Sequence, residues 1–438
     1  MKMFSCFFFL AAVFSLTAGT PKYVFYFIGD GMGQPQVEMA RRYYGKLNMD
    51  QLPVRGSLRT SNVFFGITDS AAAGTALACG VKTINGRLGL DAEGKPVRSV
   101  AVDAKQAGKK VAILTTVGIN NATPAAFYAH VMKRSESRKI LEQYPAAGFD
   151  ILAGYGVDGM KHDAKLTDFV TGASYRKDNT TAAATGSAES LEKYGIRVIH
   201  KNENEFFNMK TLKNPVVVYF NFKYEITRGK SKVRPLSAYV KKSIELLKDH
   251  PQGFFMMTEG GAIDKACHIN DGAAMLLELR EFDRAIGKAL EFYRKHPDDT
   301  LIIVTADHHT GGLSFYGNKI PADYTANAEG TIYQAYGIKN TDSFADIMTR
   351  LKKKNISVGK TDLARLKYVY ARTNEKNRAA TMNEAIRCMI DFRSGIYWTT
   401  GSHTNEEVNV FAIGRQAEQF SGTRENSELG KMMKALYK

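Results

Sequence analysis

Four short runs of this chain are apolar on both faces: Lys22–Ile28, Lys110–Thr116, Gly253–Thr258 and Leu301–Thr305. A half-exposed strand alternates apolar with polar residues, and these runs do not, so both of their faces must be covered. That is the habit of parallel sheets with helices above and below. Helical patterns do fall between the runs, near Gln34–Tyr44, Ser99–Gly108, Leu236–Lys248 and Asp271–Lys295. Shorter strands are expected near Asp150–Gly154, Ile196–His200, Val216–Phe220 and Val408–Gly414, and the polar stretch Met160–Ser187 reads as loop. The alternation predicts an α/β fold, one large domain with a mostly parallel central sheet flanked by helices.

Three of the four apolar runs stop at an acid or imidazole set among glycines. The first runs into Gly29-Asp30-Gly31-Met32-Gly33, the third into Glu259-Gly260-Gly261, and the fourth into Asp307-His308-His309-Thr310-Gly311-Gly312. In open α/β sheets ligands gather at the carboxyl ends of the strands, and glycine lets other groups crowd close to a carboxylate. The first glycine run is not the GxGxxG of a dinucleotide site, so that reading is weak. Asp264 and His268, spaced i, i+4, share one helical face and can chelate a single ion. Taken alone, that spacing fits an intrahelical Asp–His pair more simply. His403 lies in Gly401-Ser402-His403-Thr404, just before the strand at Val408. So many acids and imidazoles on strand ends are hard to bury without cations.

A different kind of signal lies at Thr68-Asp69-Ser70, where a strand-like approach (Asn62–Ile67) meets a run of small, helix-favouring residues ending at Cys79. Ser70 then falls in the first turn of a helix, where unpaired amides and the dipole stabilise an alkoxide or phosphoryl oxygen. By itself the tripeptide fits a plain N-cap better.

The amino terminus has a short positive start, an apolar stretch and small residues at Ala18-Gly19. It reads as a cleaved secretory signal covering residues 1–19, too short for the roughly 20 apolar residues that span a bilayer. Cys6 lacks the context of a lipid-attachment site. No other stretch could cross a membrane, so no span is expected after cleavage. Cys79, Cys267 and Cys388 then remain, too few and too scattered for a disulfide framework. Export without obligatory disulfides suits a periplasm or bacterial cell surface. The formal charge is +16, but the basic residues are dispersed without interleaved aromatics, and no nucleic-acid partner is expected. Between Gly312 and Gly401 sheet signals weaken and Arg350, Lys352, Lys353, Lys354, Lys360 and Arg365 accumulate. This insertion, about 313–400, reads equally well as a helical cap by the site or as a solvated excursion. Because the acids and imidazoles run from Asp30 to His403, residues 20–438 are expected to form one catalytic domain.

Five segments, in order, resemble the alkaline phosphatase family: GDGMG, TDSAAAGTA, NATPAAFYAH with Arg134 beyond it, EGGAIDKACH, and TADHHTGG with GSHT. The resemblance implies a hydrolase of small phosphate monoesters, with Ser70 as nucleophile and Arg134 clamping the phosphate. It implies a first zinc on Asp264, His268 and His403, and a second on Asp30, Asp307 and His308, with Ser70 reaching the second. Asp30, Thr123 and Glu259 would hold magnesium. Two such zinc ions, about 4 Å apart, clamp the attacking and leaving oxygens of an in-line displacement. Asn121 stands where the family usually has Asp or His, which deprives Lys265 of a salt-bridge partner and brings it toward the phosphate. His309 is expected to be structural. Family members are often homodimers, so a second copy is a candidate partner.

Rival readings are a phosphodiesterase or sulfatase on the same fold, or a phosphate-binding protein without catalysis. The sulfatase pattern, Cys or Ser before x-Pro-x-Arg, is absent from Ser70-Ala71-Ala72-Ala73-Gly74. A pure binding protein would leave the acid and imidazole positions unexplained.

Overall fold

The protein is represented by a computed structural model that describes residues 19–158, 190–219, 234–316, 320–321, 324 and 336–438. Residues 1–18 of the expected signal and the expected loop Met160–Ser187 lie outside the described residues. In chain order the strands are β1 (Tyr23–Gly29), β2 (Val54–Arg59), β3 (Lys110–Thr115), β4 (Ile151–Gly154), β5 (Arg197–Ile199), β6 (Val216–Tyr219), β7 (Phe254–Glu259) and β8 (Thr300–Ala306). Next come four short strands, β9 (His309–Thr310), β10 (Leu313–Phe315), β11 (Ile396–Trp398) and β12 (His403–Thr404). The last two are β13 (Val408–Gly414) and β14 (Gly422–Glu425).

Ten of them form one sheet in the order β14-β2-β13-β8-β1-β7-β3-β4-β6-β5. Only β13 runs against its neighbours β2 and β8; the other pairings are parallel. The four apolar runs of the sequence are therefore the adjacent central strands β8, β1, β7 and β3. β1, β7 and β8 are buried at every position. Phe25, Tyr26, Phe27, Phe254 and Phe255 fill both faces, each worth ~1.5–3 kcal/mol of burial. Phe27 meets Phe282 of the helix Gly272–Tyr293 edge-on at 5.8 Å.

The register of these strands positions the site. Ile28 lies opposite Glu259, Thr115 opposite Glu259, and Gly29 opposite Ala306. Asp30 and Asp307 therefore leave the sheet at one level on neighbouring strands, with Glu259 two residues further back, level with Ile28.

One local expectation changes. Asn62–Ile67 is not a strand. The Asn62 side chain accepts the amides of Phe64 and Gly66, and Phe65 takes a left-handed backbone (φ 59°), so the segment closes on itself. The true strand lies earlier, at β2, where Gly56 and charged residues blur the alternation. Among its described residues the insertion has three α-helices, Phe344–Lys353, Lys360–Arg372 and Arg378–Arg393, around a separate apolar core including Ile347, Leu351, Leu366, Met382 and Ile386. It leaves and re-enters through the antiparallel pair β10–β11, with Leu313 opposite Trp398. No helix among the described residues is long and apolar enough to cross a membrane. Cys79, Cys267 and Cys388 are free thiols.

The helix Ser70–Cys79 is small-sided, so a neighbour can approach its backbone. Gly430 of the helix Asn426–Ala435 does so: a Cβ there would lie 2.2 Å from the Ala76 carbonyl oxygen. Gly430→Ala should push the two helices apart and destabilise the fold by ~1–3 kcal/mol. Denaturant unfolding monitored by circular dichroism measures this, and an unchanged midpoint would mean the helices separate freely.

Candidate active site

Asp69, not Ser70, caps the helix Ser70–Cys79. The Ala72 amide donates to Asp69 Oδ1 at 2.9 Å. Asp69 Oδ2 accepts the Gly86 amide at 3.0 Å and Arg134 Nη1 at 3.3 Å. One carboxylate thereby starts the helix and aims a guanidinium at its first turn. Ser70 is released from capping, and its buried Oγ lies 3.2 Å from His308 Nε2. Burial lowers the Arg134 pKa, but the neighbouring acids, Asp69 first, raise it more, so the guanidinium stays charged.

The partners of the three imidazoles assign their protons. Thr310 Oγ1 donates to Asp264 Oδ1 at 2.7 Å, so it can only accept from His308 Nδ1, 3.2 Å away. His308 Nε2 is then a lone pair. His403 Nδ1 faces the Thr68 carbonyl and His268 Nδ1 the Gly401 carbonyl, each at 2.8 Å. A carbonyl only accepts, so both rings carry the Nδ1 proton. Burial pushes the His308 and His403 pKa values down to about 4, which keeps both rings neutral.

His268 Nε2 lies 3.2 Å from Asp264 Oδ2 and 3.2 Å from His403 Nε2. Burial lowers the His268 pKa, yet Asp264 outweighs it and the net shift is upward. The space among Asp264, His268 and His403 therefore favours positive charge, and a metal cation there would satisfy all three. The backbone carbonyls behind His268 and His403 hold the rings as partners of metal-ligating histidines usually do.

The acids tell the same story. Burial raises Asp30 well above its ordinary range, and Asp307, Asp264 and Glu259 add to the rise. Glu259 is pushed up to about 7 and Asp307 to about 6, in both cases chiefly by burial. Asp30 Oδ1, Asp307 Oδ2, Glu259 Oε1 and Thr123 Oγ1 are buried without hydrogen-bond partners. Leaving such oxygens bare is costly, and bound cations relieve it. Donor atoms of Asp30, Asp307 and His308 lie within 4.8 Å of one another, as do those of Asp264, His308 and His403. His308 therefore lies between two candidate cation positions. Gly31, with φ 68°, allows the crowding: a Cβ there would lie 2.9 Å from Asp264 Oδ1.

Most residues expected from the sequence meet here. Ser70, Asp30, Asp264, His268, Asp307, His308 and His403 form one connected cluster, and Lys265 Nζ is 3.4 Å from Asp264 Oδ2. Glu259 and Thr123 stand behind it, where Thr115 donates to Glu259 Oε2. Arg134 is joined through Asp69. His309 faces away, with Nδ1 2.6 Å from Thr404 Oγ1 and 3.1 Å from Glu406. Asn121 caps the turn Ala122–Ala125 and donates to Asp158 Oδ2 at 2.8 Å. Asp69, Thr310, Gly401 and Asp158 were not singled out from the sequence. Asp69 alone carried a readable signal, an N-cap acid directly before the serine.

A hydroxyl at a helix start, a guanidinium and a cation-demanding pocket between them suit a tetrahedral oxyanion, and together they define a metal-dependent phosphatase. The chain belongs to the alkaline phosphatase family, whose profile ("Alkaline phosphatase") matches residues 21–438. It is 33% identical over 424 residues to alkaline phosphatase 4 of Bacillus subtilis, covering 92% of this chain and 85% of that one. Alkaline phosphatase 3 of the same organism is 30% identical over 384 residues, 84% of this chain and 77% of that one. Among solved structures, the cold-active alkaline phosphatase of a psychrophilic Shewanella superposes with a TM-score of 0.78 at 26% identity, covering 95% of this chain and all (100%) of that one. A TAB5 alkaline phosphatase variant from an Antarctic bacterium, solved with Mg bound in its M3 site, superposes with a TM-score of 0.66 at 25% identity. It covers 96% of this chain and 99% of that one.

The raised acids predict how cations should couple to stability. In the metal-free protein, Glu259 and Asp307 hold protons in the folded state that they release when unfolded. Their ordinary values are 4.5 and 3.8, and their folded values are about 7 and about 6. Stability supplied by those protons is complete at low pH and is lost as pH rises from about 4 to about 7. Bound cations remove that dependence. Melting temperatures of chelated and metal-loaded protein should therefore diverge across this window, and parallel curves would place the cations elsewhere.

Proposed function

We propose that this enzyme hydrolyses phosphate monoesters through a phosphoserine at Ser70, with two zinc ions and one magnesium ion. The observation that carries the reading is Ser70 Oγ, released from capping and 3.2 Å from an unprotonated His308 Nε2. The donor sets support the choice of ions. Asp264, His268 and His403, and Asp30, Asp307 and His308 with Ser70, mix imidazole with carboxylate, which suits zinc. Asp30, Thr123 and Glu259 offer only oxygen, which suits magnesium.

When bound, the cations supply Lewis-acid stabilisation of the attacking and leaving oxygens and a lowered pKa for the serine hydroxyl. The chain supplies the rest. Ser70 attacks phosphorus from the helix start, where the backbone amides face the developing charge. Arg134, held by Asp69, clamps two non-bridging oxygens with charge-assisted hydrogen bonds. Lys265 adds positive charge beside Asp264. With Ser70 phosphorylated and the alcohol gone, water displaces the serine by a second in-line attack. Two inversions leave phosphorus with retained configuration. The chain is further proposed to be exported to the periplasm, with residues 1–19 removed and 20–438 forming the catalytic domain.

Ser70→Ala should retain the fold and the bound zinc but lose several orders of magnitude in turnover. A chiral, isotopically labelled phosphate ester is the sharper test, since net inversion by the unaltered enzyme would return Ser70 to a structural role. Full turnover after chelation, with metal loss verified by elemental analysis, would remove the metals from the mechanism.

A dianionic monoester places more charge at Arg134 than a diester does. Arg134→Ala should therefore cost monoesters more, by ~1.5–3 kcal/mol, or roughly one to two orders of magnitude in kcat/KM. Equal losses on aryl monoester and diester substrates would make Arg134 part of the scaffold.

A further inference from the structure

The helix Gly261–His268 carries Asp264 and His268, and its exit is held from the insertion. Asn270 follows in a left-handed conformation (φ 56°), and the end of its side-chain amide meets two carbonyls, which assigns its nitrogen to that side, donating to Cys267 O at 3.0 Å and Thr400 O at 2.8 Å. The first bond closes the helix end; the second ties it to the loop whose next carbonyl, Gly401, orients His268 Nδ1. That loop leads directly to His403. One asparagine thus connects both arms of the Asp264–His268–His403 set.

Asn270 is in turn fixed by Arg387, whose Nη1 donates to its carbonyl. Arg387 lies on the insertion helix Arg378–Arg393 and is 8% exposed, so its position is set by packing rather than by solvent. Its charge is paired with a buried acid on its own helix and felt by another across the junction. Asp391 Oδ2 is 3.7 Å away on the next turn, and Tyr324 donates to Asp391 Oδ1 at 2.5 Å. Asp271, on the main-domain side, also feels the Arg387 charge while accepting the Ala274 amide. A buried guanidinium is costly without its carboxylate partner, because each group left alone is an unpaired buried charge.

We propose that Arg387 and Asn270 are positioning residues for the cation held by Asp264, His268 and His403, and that the insertion fixes this cation's ligands from behind. The inference rests on the two-zinc reading above. Removing a partner behind a metal ligand typically weakens metal binding about 10–100-fold.

Two variants test it. Arg387→Met keeps length and removes the charge and the donor. Asn270→Gly keeps the left-handed backbone, which glycine adopts freely, and removes only the bridging amide. Both full-length proteins are equilibrated in zinc buffers of graded free concentration, and bound metal is counted by elemental analysis. Each variant should release one zinc at a free concentration about 10–100-fold above that at which the unaltered enzyme does, with activity restored by excess zinc. Unchanged zinc retention in Asn270→Gly overturns the proposal, even if Arg387→Met fails to fold. A lower melting temperature with unaltered zinc affinity also overturns it, since the junction would then be structural only. If the unaltered enzyme itself holds no zinc, the failure lies in the two-zinc reading.

Discussion

Like charges crowded out of water organise this molecule. Asp30 and Asp307 sit at one level on adjacent strands, Glu259 lies two residues further back on the next, and all three are deeply buried. A sheet register that would be a defect in a metal-free protein becomes a binding device once cations are present. The fully apolar strands beneath are part of the same arrangement, because they exclude the water that would otherwise solvate those carboxylates. The tautomers agree: backbone carbonyls and Thr310 hold the Nδ1 protons of His403, His268 and His308, so the Nε2 atoms turn toward one space.

The central sheet was legible because β1, β3, β7 and β8 are buried on both faces, and burial of that kind leaves an unbroken apolar run. The helix Gln34–Tyr44 and strand Val408–Gly414 also fall where periodicity and glycine punctuation put them. β2 was not legible. It lies toward the sheet's edge with Arg55 and Arg59 exposed, and its pairing is fixed by backbone contacts between distant segments. Asn62–Ile67 misled for the opposite reason: Val63, Phe64, Phe65 and Ile67 look like a strand, but the Asn62 side chain competes for the amides and closes a turn.

The site divides along the same line. Residues that can be ligands by chemical type at a strand end, such as Asp30, Asp307, His308 and His403, announce themselves. Groups that work through backbone geometry do not. Nothing in the sequence places the Gly401 carbonyl behind His268, or Asp69 between a helix amide and Arg134. Asp158, which accepts from Asn121, comes from a different strand's exit, and only the register of β3 with β4 brings the two near. Spacing along a chain reports local structure, whereas these partners are defined by where the sheet returns.

The insertion shows what the charge pattern conceals. Its basic residues suggested either a cap or a solvated excursion, and most of its lysines do face water. Its consequential charges are instead the buried ones, Arg387 and Asp391, set against Asp271 of the main domain. A second core around Ile347, Leu366 and Met382 packs the segment on itself, and Leu313, Tyr324 and Ile396 join it to the main core. The buried charges add a further tie beside the end of the helix bearing Asp264 and His268. An excursion that only needed to be soluble would have had no reason to bury a guanidinium there.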